Sequence, residues 1–270
     1  SDLSFPDDSA YALTTGSDGS IYIAGYTNGD LDDQSIQQRG WKDAFISKYS
    51  SDGTREWSRL LGSSNNDSAY ALTTGSDGSI YIAGVVGGNI DDQVSIGGSN
   101  DAFISKYNPD GEKEWTRIFG TSGIDSAPAL TTGSNGSIYI GGYTGGDLDG
   151  QTNSGGYDDY IAKYNPDGTQ EWIKLYGTTA SEQGNAITTG SDGFIYLGGY
   201  NSGSYVRKIN PQDGIEKWTR TFSSRYILAL NSGSDSYESI FAAGGGVNEG
   251  FVRKLIYFFA PTDISLSSSS

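Results

Sequence analysis

Runs of β-branched and aromatic residues alternate along this chain with clusters of Gly, Asp and Ser, and the alternation itself recurs. In the first copy the runs are Ala10 to Thr15, Ile21 to Tyr26, Ala44 to Tyr49 and Glu56 to Leu61, all of strand length and strand chemistry. Gly16-Ser17-Asp18-Gly19 and Ser50-Ser51-Asp52-Gly53 supply residues that tolerate positive φ or bond their own backbone, so antiparallel hairpins are predicted there. Ile21, Tyr22, Ile23 and Ala24 are apolar at consecutive positions, whereas a strand with one wet face would alternate. Both faces of this sheet must be covered.

Copies open at Asp8, Asp67, Asp125 and Glu182, spaced 59, 58 and 57 residues apart, which is longer than the common helical and leucine-rich repeats. Four antiparallel strands per unit, buried on both faces, make a propeller blade. The small residues Ala10, Ala12, Thr14 and Gly16 suit the crowded innermost strand, and Phe45 and Trp57 the wider outer space. The predicted fold is an all-β propeller over residues 1–259, with blades at about 8–62, 67–120, 125–177, 182–222 and 226–255. The fifth copy is partial, without the Asp-Gly turn and the Trp, and residues 1–7 are expected to complete it and close a five-bladed ring. The alternative is an incomplete arc of a larger ring. Residues 260–270 read as a linker or the start of a following sandwich module.

Composition narrows the function classes. With 17 Lys and Arg against 33 Asp and Glu, the net charge is −16, and the cations are scattered singly, so nucleic acid and anionic lipid are excluded as partners. Cys and His are absent, which removes thiolate and imidazole chemistry. The apolar run Leu255 to Ala260 is far shorter than a membrane span.

The succession DSAxALTTGSDGSIYIAGY, a GDLDG-type loop, DAFISKYNPDG and EWTR resembles the bacterial SBBP-type beta-propeller repeat, over about Asp8 to Leu255. The resemblance implies a binding or display module in a long exported or surface protein, with no reaction. The tail from Ala260 to Ser267 is similar to the opening strand of cadherin-like modules, so the chain is expected to be one piece of an adhesin-like protein, extracellular or at the cell surface.

Recurrent residues read as packing: Trp57, Trp115, Trp172 and Trp218 in the last strand, with Lys48, Lys106, Lys163, Lys208 and Lys254 in the third, the hairpin count placing Lys48 near opposite Trp57 with its stem over the indole and its ammonium in water. Asp43, Asp101 and Asp159 are read as heading the third strands and closing turns. The loops between second and third strands differ between copies, from 27–42 in the first to 201–204 in the fourth, and there the candidate sites lie. Asp30, Asp32, Asp33, Asn89, Asp91, Asp92, Asp147 and Asp149 are hard oxygen ligands on Gly-flanked loops, suited either to Ca²⁺ or to plain turn closure; no other cofactor is implied. Trp41 and Tyr157, with Arg39 nearby, are read as loop aromatics for a glycan or a protein partner, at positions aligned with Ser99. Glu182, Glu238 and Glu249 belong to no catalytic motif, so no enzyme is expected; a monomeric binding module, or a purely structural spacer, is.

Overall fold

The computed structural model describes residues 8–31, 41–222, 226–232, 240–246 and 249–255. Within them the first sheet is β1 (Ser9–Thr15), β2 (Ile21–Thr27), β3 (Asp43–Tyr49) and β4 (Arg55–Leu61). The second is β5 (Ser68–Thr74), β6 (Ile80–Val86), β7 (Asp101–Tyr107) and β8 (Lys113–Phe119), and the third β9 (Asp125–Thr132), β10 (Ile138–Thr144), β11 (Asp158–Tyr164) and β12 (Gln170–Tyr176). The fourth is β13 (Gln183–Thr189), β14 (Ile195–Tyr200), β15 (Ser204–Ile209) and β16 (Glu216–Phe222), and the fifth β17 (Tyr226–Ser232), β18 (Ile240–Gly246) and β19 (Glu249–Leu255). Each sheet is an antiparallel meander in chain order. These are the blades that the sequence pattern predicts.

Blades stack through their innermost strands, β1 on β5, β5 on β9, β9 on β13 and β13 on β17. The interior is a series of junctions: Tyr22, Ala24, Ala44 and Ile46 of the first blade pack against Leu72, Ile80, Ile82 and Phe103 of the second, and the next junctions repeat the arrangement. A hydroxyl fastens the inner rail of the first three. Thr74 Oγ1 donates to Thr15 O at 3.3 Å, Thr132 to Thr74 O at 3.2 Å and Thr189 to Thr132 O at 3.2 Å.

The outer rail is fastened by tryptophan. The Trp57 indole lies over the 108–112 turn of the next blade, where a Cβ on Gly111 would stand 2.7 Å from the ring. Its Nε1 donates to Pro109 O at 3.2 Å, and Arg59 Nε donates to Gly111 O at 2.7 Å. Trp115 and Arg117 repeat this on Pro166 and Gly168 at 3.1 and 2.9 Å. At the third junction Tyr176 takes over, its hydroxyl donating to Gly214 O at 2.7 Å. The four tryptophans are half-buried, and Trp57, Trp115 and Trp172 reach the turn of the following blade. Lys48 does stand opposite Trp57. Its ammonium is paired with Glu56 at 2.9 Å instead of reaching open water, as are Lys106 with Glu114 at 2.8 Å and Lys163 with Glu171 at 2.7 Å.

Strand register corrects one alignment. Lys163 pairs Trp172 as Lys48 pairs Trp57, so Asp158 is the counterpart of Asp43 and Asp101, and Asp159 stands where the earlier blades have Ala44 and Ala102. Asp159 faces the fourth blade, where Tyr205 OH donates to Oδ2, Arg207 Nε donates to the same oxygen at 3.3 Å, and Arg207 also holds Glu216 at 2.7 Å. The earlier blades have Phe45 and Phe103 for Tyr205, and Ser47 and Ser105 for Arg207. Three departures from the repeat thus form one buried contact.

Closure is the second correction. Among the described residues β17 has no packing against β1 comparable to the four internal junctions, so the blades form an arc, as in the alternative reading, and not the closed ring. Residues 1–7, expected to complete the fifth blade, and 260–270 lie outside the described residues. β1 and β5 share the sequence SAYALTT, yet Leu13 is 67% exposed and Leu72 9%.

Two outcomes test these contacts. Gly111→Ala, with φ +78° and the Trp57 ring against the new methyl, is expected to cost about 1–3 kcal/mol in urea unfolding. Asp159→Ala leaves a buried guanidinium and phenol without their acceptor and is expected to cost about 3–5 kcal/mol, most of it recovered in the triple variant Asp159→Ala/Tyr205→Phe/Arg207→Ser. Burial raises the Asp159 carboxyl to about 7, against the opposing pull of Tyr205 and Arg207. The native chain then binds more protons here than the unfolded chain above the ordinary 3.8, so this group's contribution to stability falls as pH rises from 3.8 to about 7.

Candidate functional site

One end of the arc gathers the loops between second and third strands and the loops between blades. The acid that opens each copy ties these together. Asp67 accepts from Ser63 Oγ at 2.9 Å and from Gly87 N at 2.9 Å; Asp125 accepts from Thr121 N at 2.7 Å; Glu182 accepts from Thr178 Oγ1 at 2.6 Å and Asn201 Nδ2 at 3.3 Å. The acids heading the third strands cap the same loops, Asp101 taking Ile96 N at 2.8 Å and Asp158 taking Ser154 N at 2.8 Å. All of these carboxylates are buried, so they build the face without lining it.

The long loops fold as small hairpins. Ile90 and Gln93 exchange backbone hydrogen bonds at 3.1 and 2.8 Å around Asp91 and Asp92, whose φ of 49° and 60° give a type I′ turn; Leu148 and Gln151 do the same around Asp149 and Gly150. Ile90 and Leu148 insert into the core, and the glutamine that follows lies along the outermost strand. Gln151 Nε2 donates to Ile173 O at 2.8 Å and its Oε1 accepts from Leu175 N at 3.2 Å, capping part of an exposed strand edge.

Within these hairpins the predicted metal ligands have turn duties. Asn89 and Asp147 accept from Ser95 N and Asn153 N, each at 2.9 Å, Asp91 holds Lys113 and Thr116, and Gln170 reaches Asp149 at 3.5 Å. Asp30 and Asp92 are exposed, while Asp32 and Asp33 lie outside the described residues. Among the described residues no three acidic side chains converge on a point that could hold a metal ion.

The two predicted aromatics part company. Trp41 is 88% exposed, its backbone N–H donating to Asn66 Oδ1 at 3.1 Å, at the rim of a cleft of about 570 Å³ between the first two blades. Ser64, Asn65, Asn66, Ser99 and Asn100 line that cleft with amides and hydroxyls. Tyr157 is half-buried, edge-on to Tyr143 at 5.1 Å. Its carbonyl receives the Glu182 N–H as those of Lys42 and Asn100 receive the next copies' first residues, so Tyr157 aligns with Lys42 and Asn100 and not with Trp41 and Ser99. Arg39 lies outside the described residues. A smaller cavity of about 280 Å³ at the opposite end includes Lys163, whose ammonium Glu171 already holds.

Sequence reasoning missed a tyrosine group on the first two blades. Each innermost strand carries a bulge, and the extra residue, Tyr11 or Tyr70 in the first two blades, is turned out of the pleat. Tyr11 sits 5.7 Å from Tyr26 and 5.4 Å from Tyr70, and is 53% exposed. Lys42 Nζ lies 3.9 Å over the Tyr26 ring. The signal was present in the copies: SAYALTT, SAYALTT and SAPALTT agree at every position except the bulge, where Tyr gives way to Pro128.

Comparison with known proteins places the chain among β-propeller repeat proteins. The domain of unknown function (DUF5122) of beta-propeller type matches residues 133–171, part of the third blade. The regulatory protein FlaEY of Caulobacter vibrioides is 30% identical over 213 residues, covering 72% of this chain and 22% of that protein. The uncharacterized WD repeat-containing protein L264 of Acanthamoeba polyphaga mimivirus is 27% identical over 260 residues, covering 75% of this chain and 18% of that protein. The chain thus spans about a fifth of the length of these relatives. The WD40 domain of Neurospora crassa Pan2 superposes with a TM-score of 0.54 at 12% identity, covering 88% of this chain and 56% of that one, and shares the fold.

If the loop acids close turns, Asp92→Gly, which copies the Gly150 of the next blade at a left-handed position, is expected to leave stability unchanged or raise it by about 0.5–1 kcal/mol. The melting temperature is expected to be the same in chelator and in millimolar Ca²⁺; a rise with Ca²⁺ would restore the metal reading.

Proposed function

We propose that this propeller is a non-catalytic binding and scaffold module of SBBP type, in a large secreted or surface bacterial protein, and that a glycan or protein partner meets its loop face beside Trp41. The observation that carries the reading is the position of Trp41. A large aromatic stands almost fully exposed over an amide- and hydroxyl-lined cleft, and no blade junction needs it for packing. Such a surface offers a flat apolar contact flanked by hydrogen-bonding groups, which suits a sugar ring or a peptide backbone. Tyr11, 53% exposed, and the half-buried Tyr70 against it add aromatic surface on the first two blades.

Two further points support a partner over a reaction. One relative carries the name of a regulatory protein and another that of a WD repeat protein. The carboxylates that open the copies and head the third strands, Asp67, Asp101, Asp125, Asp158 and Glu182, are buried and accept from backbone N–H groups of the loops, which suits support and not acid–base work. The extracellular setting rests on the SBBP-type resemblance.

The test is to screen the chain against glycan and matrix-protein arrays and then measure affinity for Trp41→Ala, Tyr70→Ala and Tyr157→Ala. Trp41→Ala is expected to weaken binding by about 2 kcal/mol or more, about thirtyfold, and Tyr157→Ala to act mainly on stability. A ligand whose affinity ignores Trp41 would place the site elsewhere, and the absence of any ligand would leave a structural spacer.

A further inference from the structure

Two departures from the repeat meet at the cavity opposite the loop face. It holds about 280 Å³ between the third and fourth blades, lined by Ser134, Asn135 and Lys163 of one and Thr189, Pro211 and Gln212 of the other. The first departure is Asn135. The turn between first and second strands carries Asp18, Asp77 and Asp192 in the other four-stranded blades. There the aspartate stands by the third-strand lysine: Lys208 Nζ is 2.6 Å from Asp192, and Lys106 Nζ is 4.0 Å from Asp77 while holding Glu114 at 2.8 Å. Lys163 keeps Glu171 at 2.7 Å, but its turn has an amide in place of the second carboxylate. Asn135 Oδ1 accepts from Ser137 N at 3.1 Å as Asp77 Oδ1 accepts from Ser79 N at 3.0 Å, so a donor, Nδ2, stands where Asp77 has the oxygen that faces Lys106. The second departure is the turn from Asn210 to Gly214, one residue longer than Asn108 to Gly111 and Asn165 to Gly168. Trp57 and Trp115 give their Nε1–H to Pro109 O and Pro166 O, whereas the buried Trp172 Nε1 has no acceptor among the described residues and Pro211 walls the cavity.

We propose that this cavity binds a small, hydroxyl-rich organic acid of sugar-acid size, whose carboxylate takes the place that the turn aspartate fills in the other blades. The ligand class follows from those blades, where the fold already seats a carboxylate beside this lysine. In the third blade both groups around that place are donors, an ammonium and an amide, and one carboxylate can accept from each. The hydroxyls of Ser134 and Thr189 and the amide of Gln212 line the rest of the cavity and suit the hydroxyls of the ligand. The volume falls just below the roughly 300–1,000 Å³ of small-molecule pockets, which suits a single ring. The site is at the far end of the blades from Trp41 and is independent of the partner proposed there.

An NMR titration of the 270-residue chain with D-glucuronate and with D-galacturonate, read at the side-chain amides of Asn135 and Gln212, tests this. Saturable shifts are expected with at least one of the two acids and none with D-glucose, and added salt is expected to weaken the binding by screening. Asn135→Asp restores the residue of the other copies and fills the place with the chain's own carboxylate, so it is expected to weaken binding by at least about tenfold, read at Gln212. Lys163→Met removes the ammonium and is expected to act in the same direction. Melting curves check that the variants fold; where Lys163→Met does not, Asn135→Asp carries the test, since three other blades fold with aspartate at that position. Trp41→Ala should bind the acids like the parent chain. No shift with either acid, equal binding of D-glucose or of inorganic phosphate, or an affinity that Asn135→Asp leaves unchanged would each overturn the proposal.

Discussion

Everything in this molecule depends on the way one blade grips the next. A single four-stranded sheet with apolar side chains on both faces cannot be stable in water, and stacking is what removes those faces from solvent. The apolar filling is unspecific by itself; direction and spacing come from two rails. Near the axis a threonine hydroxyl of one blade reaches a threonine carbonyl of the preceding one, and at the rim an indole lies on a glycine turn of the following one. Both fastenings use residues that the repeat copies nearly unchanged, which is why the copies can differ in their loops without loosening the stack.

The same arrangement explains how acidic side chains come to be so numerous and so deeply placed. Five of the described buried carboxylates sit at the loop end, at Asp67, Asp101, Asp125, Asp158 and Glu182, and accept from backbone N–H or hydroxyl groups of the loops. A carboxylate can satisfy several donors at once, so a single side chain replaces the backbone partners that irregular segments lack. The exposed chemistry of that end, meaning Trp41, the asparagines and the tyrosines, stands on this hidden framework.

Much of the fold was legible because packing repeats itself. Strand runs, turn residues and two-sided apolarity recur at a fixed spacing, and the third-strand lysine was placed opposite Trp57 by counting through the hairpin. Its ammonium's partner was not, since Glu56 lies next to the tryptophan in sequence and its reach across the hairpin depends on rotamer. The one-residue slip at Asp159 arose because Asp158 and Asp159 are adjacent, and only hydrogen-bonded register says which of them heads the strand. Closure was beyond reach for a different reason: SAYALTT reads the same whether or not a neighbour covers it. The tyrosine group was missed because a bulge changes where a side chain points without changing its type.

The contact between Asp159, Tyr205 and Arg207 has a meaning for folding that its energy alone does not convey. Blades this alike offer one another interchangeable docking sites, and pairing with the wrong neighbour is the characteristic hazard of repeat chains. A fourth blade that settled on the first or second would bring Arg207 against Ala44 or Ala102 and lose the carboxylate it needs. One charged contact therefore works as an address, written once in an otherwise uniform text, and it tells the chain which blade comes after the third.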